Sequence, residues 1–403
     1  MGSSERGGAP PNAPVPGLDR RSLWTLLAGN ALTTLGIGFF IPILPLFVRS
    51  RGQGALLVGF VFAGGVVGRA LAQYPAGWLA DRFGRKPVIV GALFLYAVLF
   101  PVYLVPMAPG WLVLLRTVHA MTSGAYLPAA AALIADLAGA RRARAFGMLR
   151  SSDMLGMLLG PAVGGLVAGF DLGAVFWVGA VACLMASGLM LFLPSVRPRA
   201  RPAQGGEVAP FRPWRLLWQL SPFLALAMPL QWTIATYDTV WSLYLTSRGA
   251  TYFEVGLSFA SYAIPMVFLG SLAGTFADRF GHLRAAVLSL VAFGVFIAIY
   301  PLLTAVWLLI GLGVVEGALT LPSTPAIQAA VSAVAPSGAQ ARTQGLFQTA
   351  SYGADVVGAL VAGSLYGWSH AGAFWSAAAL IVLGVLVCLA LRQAGVGRAR
   401  AST

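Results

Sequence analysis

Apolar residues along this chain come in long runs, broken at short intervals by a few polar positions. About 20 apolar residues in helical form cross roughly 30 Å of hydrocarbon. That criterion predicts twelve helical spans, at about 23–47, 56–79, 87–106, 111–135, 146–168, 173–193, 220–246, 255–276, 285–303, 306–331, 345–367 and 371–391. The segment from Pro194 to Arg215 is the long polar break inside the chain, with Arg197, Arg199, Arg201 and Arg212 among several Pro and Gly. It reads as a linker between halves. The expected organisation is a polar, disordered tail at 1–20, a six-helix bundle at 21–193, the linker at 194–215, a second six-helix bundle at 216–392 and a short tail at 393–403.

The two halves echo each other. Gly77-Trp78-Leu79-Ala80-Asp81-Arg82-Phe83-Gly84-Arg85-Lys86 returns 197 positions later as Gly274-Thr275-Phe276-Ala277-Asp278-Arg279-Phe280-Gly281-His282-Leu283, with Arg284 next. At the same offset Ser50-Arg51-Gly52 matches Ser247-Arg248-Gly249, and Val58-Gly59 matches Val255-Gly256. A duplicated unit is the direct reading. Each charged turn has to reverse the chain between two membrane helices while facing water. Gly77 is expected to allow close helix packing and Gly84 a bend at positive φ, while the basic residues favour the cytoplasmic side.

The pattern G-x-x-x-D-R-x-G-R-K, doubled in register after apolar spans, resembles the loop signature of the major facilitator superfamily, and the resemblance covers nearly the whole chain. It implies an all-α membrane protein with twelve transmembrane helices in two pseudo-symmetric six-helix bundles. It also makes the turn a conformational latch. Asp81 would meet the amino-terminal end of span eleven in the outward-facing state, and Arg82 and Arg85 would add contacts across the cytoplasmic face. Gly274, Asp278, Arg279 and Gly281 form the second copy, weakened by His282 at a basic position.

Composition agrees with a bilayer: 58% of residues are hydrophobic, 9% are charged, and the mean hydropathy is +0.82. The net charge of +14 reports topology rather than nucleic-acid binding. Of the 26 Lys and Arg, only Arg49, Arg51 and Arg248 fall on the far side, and only Arg69, Arg116 and Arg150 lie inside spans. The other twenty sit in tails or in loops on the Gly77 side, which the positive-inside rule makes cytoplasmic, with both termini there. The expected location is the cell inner (plasma) membrane. No cleavable signal is read before the first span. Cys183 and Cys388 lie in apolar runs and read as packing residues.

Span five carries Gly156, Gly160, Pro161, Gly164 and Gly165 in the order G-x-x-x-G-P-x-x-G-G. Small residues four apart let two backbones approach closely. The run also resembles the signature of proton-coupled exporters within the superfamily, and it is the evidence for the direction of transport. The second half keeps Ala354, Gly358, Ala359, Ala362 and Gly363 at an offset of 198 and loses the proline. Prolines at 42, 45, 128, 322 and 325 read either as bends for rocking helices or as static kinks.

Charges inside spans are costly and mark function or ion pairs. Span four has Arg116 and His119 on one face. The family pattern after the Arg is Gln and Gly, whereas His119 and Ala120 stand there, so only the Arg carries over. Asp136, Arg141, Arg142 and Arg144, the last echoed by Arg342, read as cytoplasmic gate or topology charges. Four acids are embedded: Asp153, Asp238, Glu316 and Asp355. Asp153 lies one turn from Arg150 and is read as its partner. Asp238 shares a face with Gln231 and Trp241, and Glu316 shares one with Thr320 and Ser323, by helical spacing. Counting about 1.5 Å per residue puts Glu316 and Asp355 roughly 15 Å from a membrane face, and Asp238 roughly 12 Å from one. Spans one, four, seven and ten line the cavity in such families, so Asp238 and Glu316 lead for proton coupling, Asp355 follows and Asp153 is last. Asn30, Phe39, His119, Gln231, Trp232, Tyr237 and Trp241 are expected at the substrate cleft. Arg69 either pairs with an acid or snorkels toward the inner surface.

These readings lead to a secondary transporter, driven by protons, that exports small hydrophobic or amphipathic compounds by alternating access. Uptake or facilitated transport of a sugar or metabolite is the first alternative, and a lipid (lysophospholipid) flippase or a non-transporting scaffold is the next. No metal-ligand cluster, nucleophile elbow or phosphate loop is present, so neither enzyme, cofactor nor metal is expected. The expected partners are a small-molecule substrate, protons and the lipid bilayer, with no nucleic acid, and the expected state is a monomer.

Overall fold

The structure is a computed structural model that describes residues 20–137, 142–194, 213–335 and 340–397. Among these residues there is no strand, and the helices join into twelve rods. Rod one is Arg20–Phe40 continued by Leu44–Ser50, rod two Ala55–Phe83, rod three Arg85–Val102, rod four Pro109–Leu137, rod five Arg142–Phe170 and rod six Ala174–Met190. Rod seven runs through Pro213–Thr236, a π turn at Tyr237–Trp241 and Ser242–Ser247. Rod eight is Tyr252–Phe280, rod nine His282–Ile299, rod ten Val306–Thr320 with Ser323–Val334, rod eleven Gln340–Trp368 and rod twelve His370–Gln393. Eight of these are long and apolar enough to cross a membrane. Large side chains such as Phe94, Trp177, Phe192, Trp307 and Leu383 stand exposed on the outside, as a lipid-facing surface requires.

Sequence accounts for most boundaries. The breaks in rods one and ten fall at Pro42 and Pro322, where the missing N–H and the ring interrupt the helix, whereas Pro128 sits in an unbroken rod four. Rod seven starts at Pro213, earlier than its apolar run and inside the expected linker. Residues 195–212, most of that linker, lie outside the described residues, as do 1–19 and 398–403. Rod eight begins with a capping box, Thr251 accepting from the Glu254 N–H while the Glu254 carboxylate accepts from Thr251. Positive φ occurs at Gly52 (+76°) and Gly249 (+87°), and at Gly84 (+97°) and Gly281 (+85°), so both glycine turns recur 197 positions apart.

Packing repeats the same symmetry. Rod one packs on rods five and six, and rod seven on eleven and twelve; rod two packs on four, and rod eight on ten; rod three packs on six, and rod nine on twelve. Between the halves, rod two meets rod eleven and rod five meets rod eight.

Candidate functional site

The two most extensive contacts between the halves are glycine crossings. A Cβ on Gly363 would stand 2.5 Å from the Ala55 carbonyl oxygen and 3.1 Å from the Gly59 Cα, and one on Gly59 would stand 2.6 Å from the Ala359 carbonyl oxygen. On the other side of the pseudo-axis, a Cβ on Gly256 would meet the Pro161 carbonyl and stand 3.0 Å from the Gly165 Cα. All four glycines lie in the half of their rod away from the Gly77 turn. In the other half of the same rods, Gly77, Gly147, Gly270 and Gly345 have nothing within 4 Å of where a Cβ would be. Among the described residues the two bundles thus approach closely on the side away from the Gly77 turn and show no such glycine approach on the Gly77 side, the arrangement of a cleft that opens in that direction. Gly77 does not provide the close packing expected of it, because in this state its neighbours stand away.

The span-five run works on two faces. Gly160 and Gly164 admit rod one, where added Cβ atoms would come within 2.8 Å of the Gly38 Cα and 2.7 Å of the Phe39 Cα, and Gly156 abuts Thr34. Gly165 and Pro161 face rod eight and form the seal. In the second half Gly358 takes the backbone of Trp232, as a Cβ there would stand 2.9 Å from its Cα.

Glu316 sits inside the second half, 3% exposed. Tyr300 donates its hydroxyl to one carboxylate oxygen at 2.5 Å, and Tyr237 donates to the other at 2.8 Å. Thr320 donates to the Glu316 carbonyl at 2.8 Å, and Tyr262 meets the Thr320 hydroxyl at 3.0 Å. Each carboxylate oxygen thus has one O–H donor and spare lone pairs, so the group can take and release a proton without rebuilding its surroundings. Tyr237 opens the π turn of rod seven, a form that locally shifts the helix register and recurs at functional sites. The next residue, Asp238, is half-buried and acts electrostatically with Arg69 and Arg116 rather than with Glu316. Asp355 joins the same group through Arg69 and Asp238. Arg116 is 4% exposed, lies 5.2 Å from the Phe40 ring centre and against Gly65, and its Nε is buried with no partner.

Four residues expected at the cleft lie elsewhere. Asn30, 1% exposed, donates to Ser152 (2.8 Å) and Asp153 (2.7 Å) and accepts from Tyr126 (2.6 Å), tying rods one, four and five inside one bundle. Arg150 adds an ion pair to Asp153 at 3.6 Å, so that acid is held within its own half. Phe39 is buried against Gly164. His119 is fully buried: Nε2 donates to the Tyr96 carbonyl (3.1 Å), Nδ1 accepts from Tyr103 (3.3 Å), and Phe40, Tyr96, Phe100 and Tyr103 enclose the ring. The carbonyl partner assigns the tautomer, and both ring nitrogens are satisfied in the neutral form. Trp241 is also buried, donating to Ser258 at 3.0 Å. Gln231, Trp232 and Tyr237 are half-buried. In the turns, Arg82 lies over Trp78 (5.2 Å) and Phe83 (5.7 Å), Asp278 pairs with His282 at 4.0 Å, and Arg85 and Arg279 are not buried. The side chains of Asp81, Asp136, Arg142, Arg144 and Arg342, the whole of Arg141, and the surroundings of Gly274 lie outside the described residues.

Residues not singled out from sequence now matter. Tyr300 is one, and its signal is the repeat: Tyr103 and Tyr300, and His119 and Glu316, are each 197 apart. Gly59 and Gly363 stand in the repeat pattern without an assigned role there.

The Major Facilitator Superfamily profile matches residues 26–247 and again 223–402. The chain belongs to the major facilitator superfamily. Among curated relatives in the superfamily it is 25% identical to the quinolone resistance protein NorA of Staphylococcus aureus (strain Mu50 / ATCC 700699) over 236 residues, 57% of this chain and 59% of that protein. It is 24% identical to multidrug resistance protein 2 of Bacillus subtilis (strain 168) over 177 residues, 43% of this chain and 44% of that protein. The match thus spans less than two thirds of these relatives' length. Among solved structures of the same fold, the nucleoside transporter NupG superposes with a TM-score of 0.76 at 15% identity, covering 92% of this chain and 98% of that one. A bacterial homologue of the human lysosomal transporter Spinster, described as inward-facing and occupied, superposes with a TM-score of 0.71 at 15% identity, covering 93% and 96%. These superfamily relatives are transporters and resistance proteins, not enzymes.

Proposed function

We propose that this protein is a secondary transporter that exports small hydrophobic or amphipathic compounds in exchange for protons. It works as a monomer in the plasma membrane, with the Gly77 side and both termini in the cytoplasm. The observation that carries this reading is Glu316, a buried acid gripped by Tyr300 and Tyr237 within a bundle that lines a cleft sealed on one side. An acid so placed has little reason to be retained for stability, since a buried charge is costly and an apolar core would pack as well.

In the state described here the cleft faces the cytoplasm. Protons leave Glu316 and Asp238 to that side, and the substrate enters. The halves then rock about the glycine crossings, which part as the Gly77 side closes, and protons taken up from outside reset the carrier. The quinolone and multidrug resistance relatives support export of a drug-like compound. The nucleoside and peptide transporters among the structural neighbours favour the second reading, transport of a polar metabolite.

Everted membrane vesicles from cells making the protein test the direction. Acidifying the lumen should drive accumulation of a fluorescent amphipathic dye, and a protonophore should abolish it. Accumulation that ignores both treatments would contradict proton-driven export.

A further inference from the structure

Inward from the seal, where rod two meets rod eleven and both meet the π turn of rod seven, four charged side chains from four rods come into one neighbourhood. Arg69 of rod two and Arg116 of rod four belong to the first half; Asp238 of rod seven and Asp355 of rod eleven belong to the second. Arg69 lies within electrostatic reach of Arg116, Asp355 and Asp238; Asp238 within reach of Arg69 and Arg116; Asp355 within reach of Asp238 and Arg69. Helix geometry puts Arg69 and Asp355 opposite each other. Arg69 lies ten residues inward from Gly59 on rod two, and Asp355 eight residues inward from Gly363 on antiparallel rod eleven, about 15 and 12 Å below the point where these glycines touch. The backbone of Arg69 is fixed there by rod four, since a Cβ on Gly124 would stand 2.9 Å from the Arg69 Cα.

Among the described residues no ion pair within 4.0 Å joins the four groups, so the two arginines of one half and the two carboxylates of the other are separated by a gap wider than an ion-pair contact. Arg69 and Asp238 are half-buried, and the buried Arg116 Nε has no hydrogen-bond partner. Glu316 is not among the groups acting on this cluster; its tyrosine grip lies within the second half alone.

We infer that the gap is the binding site for the charged ends of a dipolar solute, one that carries both an anionic group and an ammonium group on an amphipathic frame. The anion goes to Arg69 and Arg116, the ammonium to Asp238 and Asp355. This rests on reading the cleft as the transport path, and it adds Arg69 as a specificity residue.

Charge balance is the reason. The two arginines and two aspartates sum to no net charge, so a simple cation seated on Asp238 and Asp355 adds an uncompensated charge beside two guanidiniums in a poorly solvated place; a simple anion does the reverse. A dipolar compound offers a counter-charge to both pairs at once and keeps the cluster neutral. Arginine suits the anionic end because its planar fork offers paired donors to a carboxylate, which the single ammonium of a lysine cannot copy.

Three fluorescent probes with one frame test this: Nε-dansyl-lysine, dansylcadaverine, which lacks the carboxylate, and 6-(dansylamino)hexanoate, which lacks the amine. Equilibrium binding to the purified full-length protein in detergent needs no membrane and no gradient, so the result stands apart from whether export is proton-driven. Dansyl-lysine should bind roughly tenfold or more tightly than either singly charged probe. Arg69→Gln should erase its advantage over dansylcadaverine by weakening dansyl-lysine and 6-(dansylamino)hexanoate without weakening dansylcadaverine, and Arg69→Lys should restore it only in part. Dansylcadaverine binding as tightly as dansyl-lysine to the parent protein would overturn the inference. So would an Arg69→Gln variant that weakens all three probes alike. If that variant does not fold, the three-probe comparison on the parent still decides.

Discussion

Tyr300 donates its hydroxyl to Glu316 at 2.5 Å, and 197 positions earlier Tyr103 meets His119 at 3.3 Å in the same place of the other half. One duplicated pair has thus become two different devices. In the second half both oxygens of an acid accept from phenols; in the first, a neutral imidazole is satisfied between a carbonyl and a phenol, inside an aromatic cage.

The same substitution in the two halves should therefore read out differently. Tyr300→Phe removes a hydrogen bond to the acid, worth about 1.5–3 kcal/mol when the acceptor is charged, and gradient-driven efflux should fall roughly tenfold or more. Tyr103→Phe should lower the unfolding temperature and leave efflux per folded molecule near that of the parent. Initial efflux rates set beside thermal unfolding of the same preparations check both outcomes.

At the seal, Gly59 and Gly363 touch backbone to backbone, so a side chain there must push the halves apart. Overpacking costs about 1–3 kcal/mol, enough to shift a balance between two states roughly 5- to 150-fold. Gly363→Val should populate a form open on the sealed side. Spin labels at positions 50 and 247, on the outer segments of rods one and seven that meet in the closed form, should move to longer distances. Gly77→Ala, with nothing near it in this state, should leave that distance unchanged.

Asn30 connects three rods through Ser152, Asp153 and Tyr126. Asn30→Ala leaves the Tyr126 hydroxyl and part of Asp153 without partners, at about 1–3 kcal/mol. Thermal unfolding should register the loss, and the affinity for substrate should not change.

Two arginines that depart from the charge asymmetry have a structural use. Arg51 donates to the Leu104 carbonyl (2.7 Å) and lies over Phe47, while Arg248 donates to the Pro301 carbonyl (3.2 Å) and lies over Tyr244, with the arginines and the rings matched at the offset of 197. Each ties the end of rod three or rod nine to the end of rod one or rod seven, where helix dipoles favour a cation. Arg51→Ala and Arg248→Ala should each lower stability by about 0.5–1.5 kcal/mol. The double variant should be additive within about 0.5 kcal/mol, because the two clasps share no partner.

Much of this is legible in the chain itself. Apolar runs mark the rods, and the repeat offset marks which positions correspond. Small residues in rod five mark a close approach, though not that Gly156, Gly160 and Gly164 serve rod one while Gly165 serves rod eight. What periodicity cannot supply is the neighbour. A polar residue on a helix face reads the same whether that face looks into a cleft or at another rod of its own bundle, and for that reason Asn30 and His119 are expected at the cleft and lie within the bundle. The π turn has no local signature, yet it places Tyr237 on Glu316 and sends Asp238 toward Arg69. Tyr300 comes from the end of another rod, and only folding brings it to the acid.

The most direct test of proton coupling is transport in proteoliposomes, with an imposed pH gradient and with substrate counterflow at equal pH, for the parent, Glu316→Gln and Asp238→Asn. The account predicts gradient-driven accumulation in the parent, its loss in Glu316→Gln, and counterflow retained in that variant because the halves still exchange. Accumulation that persists at the parent rate in both variants would contradict it.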